Sequence, residues 1–534
     1  MKKRLFAIIL AVLLISSAGM AHAQDAWQMA QKHKDTLRFA TLFTAHNMRD
    51  YLGSEKGIED TIQWCKQSAV SHVFFETFRG GYLVPMHIVQ NAKNRFQDEG
   101  FLVSGCITTV GIGRDSVEGW IFPCFTEKGG LENLKHIFEY TAMLFDDIMI
   151  DDFYCTRCQC EECKEAKGEQ SWDKFRTDMM VDVSKDYVIH PTKRVNPNAT
   201  IIIKYPQWYG AFQEAGYDID RQTKMFDKTW VGTETRDPDN ERWGRHPQYM
   251  AYFIMRWLGV NGGEKCGGGW FDPYGTSPET YVEQARQTIL AGADQALLFC
   301  YGSLQNDNGP GNVKAFREEI PELFALARAV HDKPIRGIHA PKPPNSEGEK
   351  DRYMFDFIGM LGLPLVPAET IDAQAKAALL GHQILHEQDA IENVQAFHNA
   401  GKPVLITETL LNELPEKIQA NPKSFTEIHV PNDKWEWMDY AQEDLNQARN
   451  TMLKPFGVQF NAPSRVSLYL FGETVYGIEN FNNEPVQIQL TVDGEKEPKP
   501  FLVIKKEKKV KTEFRNGALN ITIPKRTLVL LKTQ

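Results

Sequence analysis

Between Leu37 and about residue 304 the chain passes eight times through one motif: a short apolar run, a polar loop and an amphipathic helical stretch. The apolar runs are Leu37–Leu42, His72–Phe75, Leu102–Ile107, Ile148–Asp151, Thr200–Lys204, Lys228–Gly232, Cys266–Trp270 and Gln295–Cys300. Strands covered on both faces read as near-continuous apolar stretches, and alternation with helices calls for parallel pairing. Eight such units over roughly 300 residues predict an α/β fold, a (β/α)8 TIM barrel with insertions. The rival arrangement is an open, doubly wound sheet, but no glycine-rich phosphate fingerprint follows the first strand. A barrel concentrates chemistry at the C-terminal ends of its strands, so those ends are where functional side chains are expected.

The rest of the chain changes character. Helix Val313–His331 is followed by a proline-marked linker at Pro334, Pro341, Pro343 and Pro344. A second α/β unit is expected next, with strands Pro364–Pro367, Gln383–Leu385 and Pro403–Thr407 and helices Tyr353–Leu361, Asp372–Leu380 and Asp389–Ala400. It reads as a small flavodoxin-like domain. Polar and apolar residues then alternate along 466–470, 475–481, 486–492 and 518–531, broken by Asn482-Asn483, Asp493-Gly494 and Asn516-Gly517, which predicts an antiparallel β-sandwich. The expected division is a signal peptide at 1–23, the barrel at 24–335, the flavodoxin-like unit at 336–455 and the sandwich at 456–534.

The first residues have the build of an export signal: Lys2, Lys3 and Arg4, an apolar stretch Leu5–Ile15, and Ala21-His22-Ala23 before Gln24. A periplasmic or secreted location is therefore expected, and no later stretch is long and apolar enough for a membrane span. A formal net charge of −10, with the basic residues clustered only at 505–511, argues against nucleic acid as a partner.

Reading the strand ends gives Glu76 and Arg79 after the second, Asp151 and Asp152 after the fourth, Lys204 at the fifth, Glu234 after the sixth and Asp272 after the seventh. Trp208, Trp270 and Tyr301 lie beside them. Carboxylates ringed by aromatic faces are what glycoside hydrolysis requires: one acid protonates the leaving oxygen, one carboxylate attacks or activates water, and flat rings hold sugar rings. Asp151, Asp152 and Glu234 are thus the candidate catalytic residues. Glu76, Arg79, Lys204, Trp208, Trp270, Asp272 and Tyr301 are candidates for substrate binding. Each acid has a structural alternative as a helix cap, a turn residue or an ion-pair partner.

Four cysteines, Cys155, Cys158, Cys160 and Cys163, follow the fourth strand within nine residues. Disulfides are the default in an exported chain. Such short spacings close disulfides poorly but suit a tetrahedral zinc–thiolate site, which with four thiolates is closed and structural. Zinc is therefore expected on these four, with Cys106 or Cys124 able to replace one by proximity. No organic cofactor is expected.

The domain order and the run Cys158-Gln159-Cys160-Glu161-Glu162-Cys163, leading into Trp172 and Phe175, resemble the three-domain glycoside hydrolases of family 42 and related hypothetical glycosyl hydrolases. The resemblance implies a barrel, a flavodoxin-like trimerisation domain, a C-terminal β domain and a zinc-binding cysteine loop. It also implies a homo-oligomer, most simply a trimer, to which Phe355, Phe357, Ile358, Met360 and Leu361 could give an apolar surface. The catalytic pattern departs from that family, which ends its fourth strand in Asn-Glu and carries a Glu nucleophile at the seventh. A strand-four Asp with an acid at the sixth is similar instead to retaining α-galactosidases and α-fucosidases. The Asp151-Asp152 pair is also similar to that of hexosaminidases using substrate-assisted catalysis. The expectation is an exported, retaining glycoside hydrolase acting on a glycan or oligosaccharide. The alternatives are a barrel that only binds glycan and an ester or amide hydrolase, the latter without a Gly-x-Ser-x-Gly or His-Glu-x-x-His motif.

Overall fold

A computed structural model describes residues 25–534, apart from 117–118, 152, 244, 347–350, 423, 495–496, 505–509 and 534. Eight parallel strands, β1 (Arg38–Phe43), β2 (Val70–Arg79), β3 (Leu102–Ile107), β4 (Asp147–Ile150), β5 (Thr200–Tyr205), β6 (Lys228–Gly232), β7 (Cys266–Phe271) and β8 (Gln295–Leu298), pair in sequence order. The sheet closes on itself because β1 pairs with both β2 and β8, with Phe43 opposite Phe75 and Arg38 opposite Gln295. The barrel expected from the eightfold motif is what forms.

Alternation along the strands sorts the side chains. Phe74, Cys106, Met149, Ile202, Trp230 and Trp270 fill the barrel interior, while Val73, Phe75, Ile148, Ile150, Ile201 and Ile203 face the surrounding helices. Trp230 needs a glycine opposite it: a Cβ on Gly268 would lie 2.5 Å from the indole. The helix Pro278–Leu290 outside β7 and β8 is opened by a reciprocal cap, in which Ser277 Oγ accepts from the Thr280 amide and Thr280 Oγ1 from the Ser277 amide.

Beyond the barrel, β9 (Ile338–Pro341), β10 (Leu365–Ala368), β11 (Ala378–Leu380), β12 (Val404–Thr407) and β13 (Phe425–Ile428) form a parallel sheet in the order β10-β9-β11-β12-β13. The segment expected to be helical from Asp372 to Leu380 instead supplies β11, whose residues are fully buried. Alanines there suit a helix by propensity, but burial between β9 and β12 decides the outcome. Two antiparallel sheets follow. One contains Val458–Asn461, Val486–Val492, Lys511–Arg515 and Ala518–Ile523; the other contains Val466–Phe471, Val475–Asn480, Lys499–Ile504 and Thr527–Lys532, and also recruits Ile335–Arg336 from the linker. This second sheet docks on helix Pro278–Leu290 through buried polar contacts, Arg526 to Glu283 at 3.1 Å and Tyr469 Oη to Gln287 at 3.1 Å.

The apolar residues considered for a subunit surface are spent inside the chain. Phe355, Phe357, Ile358, Met360 and Leu361 are all buried. Phe355 stacks on Phe253 of the barrel at 4.4 Å, and Phe357 meets Trp435 edge-on at 5.1 Å. Among the described residues no helix is long and apolar enough to cross a membrane. The expected export signal lies outside the described residues.

Candidate active site

The C-terminal mouth of the barrel holds three linked charge clusters. The first joins β2, β3 and β4. Glu76 is fully buried and its Oε2 accepts from the Ala45 amide (2.7 Å) and from Arg79 Nε (2.8 Å). Arg79 Nη2 donates to Asp151 Oδ2 (2.7 Å) and to Thr108 Oγ1 (2.8 Å). The Thr108 hydroxyl lies between Glu76 Oε1 and Asp151 Oδ2, 2.9 Å from the latter, and can donate its one proton to either. Burial works against the Arg79 charge, but Glu76 and Asp151 outweigh it and hold the guanidinium more firmly protonated than usual. Arg79 thus acts within the site as the countercharge of two acids.

The second cluster joins β5 and β6. Lys204 Nζ donates to Glu234 Oε1 at 2.8 Å, with the two side chains 1% and 3% exposed. The ammonium also lies 4.2 Å from the centre of the Trp270 ring, which stacks on Phe299 at 4.8 Å. Glu234 Oε2 is buried and, among the described residues, has no hydrogen-bond partner. Desolvation raises the Glu234 pKa; the nearby Asp272 carboxylate adds to this, while Lys204 and Arg236 oppose it. Glycine at 232 permits the arrangement, since a Cβ there would lie 2.4 Å from Glu234 Oε2.

The third cluster lies between β6 and β7. Arg236, held at a φ of +59°, forks onto Asp272 with Nε–Oδ1 3.0 Å and Nη2–Oδ2 2.7 Å. A cavity of about 480 Å³ opens over Arg79 of the first cluster, bordered further by Asn47, Tyr274, Phe299 and Ser303; among the described residues no other member of the three clusters lines it.

Glu76, Arg79 and Asp151 therefore meet in one network, Lys204, Glu234 and Trp270 in a second, and Asp272 beside it. Asp152 lies outside the described residues. Trp208 is half-buried on the loop after β5, with the Arg157 guanidinium 5.9 Å from its ring. Tyr301, read from the sequence as a sugar-stacking ring, packs inward on Phe43 at 4.9 Å and meets Tyr51 and Trp64 edge-on. It belongs to the core because the turn after β8 starts a helix at Tyr301 and directs the ring behind β1. Arg236 is one of the polar residues that the sequence places after the sixth strand, without a role of its own, whereas Thr108 is not among the candidates. Thr108 follows β3 directly, and a carboxylate-free strand end gave no reason to choose it.

The sulfur cluster differs by one ligand from the expected run. The four sulfurs that lie within 4.8 Å of one another belong to Cys124, Cys158, Cys160 and Cys163. Cys155 is buried in the main core instead, close behind β4. Cys124 arrives from another loop, after the hairpin of Asp115–Ser116 with Gly119–Pro123. All the described cysteines are free thiols. Cys124 Sγ is 3.8 Å from both Cys160 Sγ and Cys163 Sγ. A tetrahedron with Zn–S bonds of about 2.3 Å has S···S edges of about 3.8 Å, so the four thiols fit that ion. Arg114 Nη2, 3.3 Å from Cys160 Sγ and 3.7 Å from Cys124 Sγ, supplies positive charge beside them.

A family model described as "Probable glycosyl hydrolase, catalytic domain" matches residues 23–331. The uncharacterized protein SSO3021 of Saccharolobus solfataricus is 24% identical over 383 residues, 65% of this chain and 63% of that protein. The chain thus spans less than two thirds of that relative's length. Among solved structures, α-L-fucosidase isoenzyme 2 from Paenibacillus thiaminolyticus superposes with a TM-score of 0.59 at 12% identity, covering 93% of this chain and 99% of that one. Gan42B, a GH42 β-galactosidase from G. stearothermophilus, gives 0.58 at 11% identity, covering 93% and 98%. At these identities the likeness is one of fold.

Proposed function

We infer that this chain, which belongs to the family of probable glycosyl hydrolase catalytic domains, cleaves glycosidic bonds of a glycan or oligosaccharide by a retaining mechanism. The observation that carries the reading is Glu234. One of its oxygens is anchored by Lys204, the other is buried without a partner among the described residues, and burial favours its protonated form. Such a carboxylic acid is suited to give a proton to a glycosidic oxygen and later to take one from water. Asp151, or its neighbour Asp152, attacks the anomeric carbon as the leaving group departs with the proton of Glu234. Water activated by the Glu234 carboxylate then releases the sugar and restores both acids.

Arg79 and Thr108 position Asp151 and offset its charge, and Glu76 fixes Arg79. Lys204, Trp270 and the Arg236–Asp272 pair border the sugar site. Zinc on Cys124, Cys158, Cys160 and Cys163 ties the hairpin after β3 to the loop after β4, and with all four positions taken by thiolates it has no open place for substrate. Export to the periplasm or beyond follows from the build of residues 1–23. A homotrimer keeps only the support of the family resemblance, since the apolar residues considered for it are buried within the chain.

The test is turnover of a panel of aryl glycosides by the unmodified chain and by Glu234→Gln. The reading expects release of phenol from at least one member and its loss in the variant. Sugar binding without turnover by the unmodified chain would show a glycan-binding barrel instead.

A further inference from the structure

The cavity of about 480 Å³ over Arg79 is walled by the turns that leave three neighbouring strands. Tyr274 follows β7, Phe299, Ser303 and Asn306 follow β8, and Asn47 and Asp50 lie on the helix Ala45–Tyr51 after β1. It therefore opens on the face where a barrel gathers its chemistry. Two of its wall residues lead to the candidate catalytic acids. Arg79 reaches Asp151 at 2.7 Å. Phe299 stacks on Trp270, the ring beside the Lys204 ammonium that holds Glu234. Neither Asp151 nor Glu234 lines the cavity itself, so it adjoins the place of bond cleavage without being that place.

Its polar lining is preset by the fold. Asn47 Oδ1 accepts from the Gly302 amide (3.0 Å), which leaves Nδ2 as a donor. Glycine is what lets this amide lie there, since a Cβ on Gly302 would stand 2.4 Å from Asn47 Nδ2. Asn306 Nδ2 donates to the Gly302 carbonyl (2.7 Å), and Asn308 Nδ2 to the carbonyls of Pro273 and Thr276, so each keeps its amide oxygen as an acceptor. The rings of Tyr274 and Phe299 meet edge-on at 6.1 Å beside them. One fixed donor, two fixed acceptors and aromatic surface suit a sugar, whose hydroxyls both give and take hydrogen bonds. The lining also selects against acids. Among the described residues Arg79 is its sole cation, and Glu76 and Asp151 already share it. Asp307, and Asp50 in its 2.7 Å pair with Arg49, add negative charge. An anionic substituent would lose water here without gaining a countercharge.

We propose that this cavity is a subsite for a second, uncharged sugar of the substrate, recognised by Asn47, Asn306 and Asn308 and bordered by Tyr274 and Phe299, so that the chain prefers oligosaccharides to single sugars. The assignment rests on the glycoside hydrolysis proposed above.

The test is isothermal titration of the full chain carrying Glu234→Gln, which keeps the ligands uncleaved, with galactobiose, lactose, cellobiose and digalacturonate and with galactose, glucose and galacturonate. At least one neutral disaccharide is expected to half-saturate at about a tenfold lower concentration than its component sugars, and digalacturonate to show no such gain over galacturonate. The gain should shrink in Asn47→Ala and vanish in Asn306→Trp, an exposed position from which the indole fills the cavity, with single sugars bound as before. No gain for any neutral disaccharide, a gain that survives in both variants, or an equal gain for digalacturonate overturns the proposal. Turnover of glycosides by the unmodified chain is read separately. A disaccharide gain without turnover leaves the subsite standing and removes hydrolysis, whereas turnover without the gain removes the subsite alone.

Discussion

Replacing Lys204 by Met keeps the length that packs on Trp270 but removes the ammonium 2.8 Å from Glu234 Oε1. Both partners are almost fully buried, so a persistent Glu234 charge would then cost about 3–5 kcal/mol. Glu234 can escape that cost by keeping its proton, which makes the loss depend on pH. An acid whose folded pKa stands above its ordinary value of 4.5 binds its proton more tightly in the folded state, so stability is greatest at low pH and falls as pH rises towards the folded pKa. Without Lys204 that pKa moves higher, and the decline continues further up the scale. The variant should therefore be closest to wild type at and below pH 4.5, the ordinary value that the folded Glu234 exceeds. The gap should then widen by about 1.4 kcal/mol per pH unit until it reaches the ceiling of about 3–5 kcal/mol. For a barrel of about 300 residues the ceiling corresponds to a thermal midpoint lowered by about 5–8 °C. Melting curves of both proteins across this pH range read the effect directly, and adding Glu234→Gln to the variant should flatten it. A gap of the same size at low and high pH would refute the claim that Lys204 compensates the Glu234 charge.

Three further outcomes are expected. Asp151→Asn and Asp152→Asn should each lower turnover at least about a hundredfold on aryl glycosides while leaving far-UV circular dichroism unchanged; near-normal rates in both would remove the nucleophile from β4. Elemental analysis should find about one zinc per chain, lost in Cys124→Ser but kept in Cys155→Ser, and mapped disulfides within the cluster with no metal would exclude the zinc site. Light scattering at micromolar concentration should give three times the mass of one chain, and a monomer mass would end the trimer expectation.

The barrel was legible because a strand covered on both faces has to be apolar throughout, and eight such runs leave few other architectures. Strand ends also exposed Glu76, Asp151, Lys204, Glu234 and Asp272, since a charged residue closing an apolar run is visible in one dimension. What spacing could not convey was direction. Cys155 lies in the same tight run as the other three thiols, yet its position just past β4 sends it into the core, and Cys124 from a separate loop completes the group. Tyr301 was misread for the same reason: adjacency to a strand end says nothing of which side of β1 a ring will take. The segment ending at Leu380 shows propensity yielding to burial. The Thr108 bridge and the Arg236 fork depend on distances between strands that only closure of the barrel brings together.

The claim that Glu234 is the proton donor is tested most directly by kcat/KM of wild type and Glu234→Gln on two aryl glycosides of one sugar, with leaving phenols of pKa about 4 and about 10. A phenol that leaves readily needs no proton, whereas a poor one does. The account predicts a loss of at least about a hundredfold on the poor leaving group and only a few-fold loss on the good one. An equal loss on both, or none on either, would contradict it.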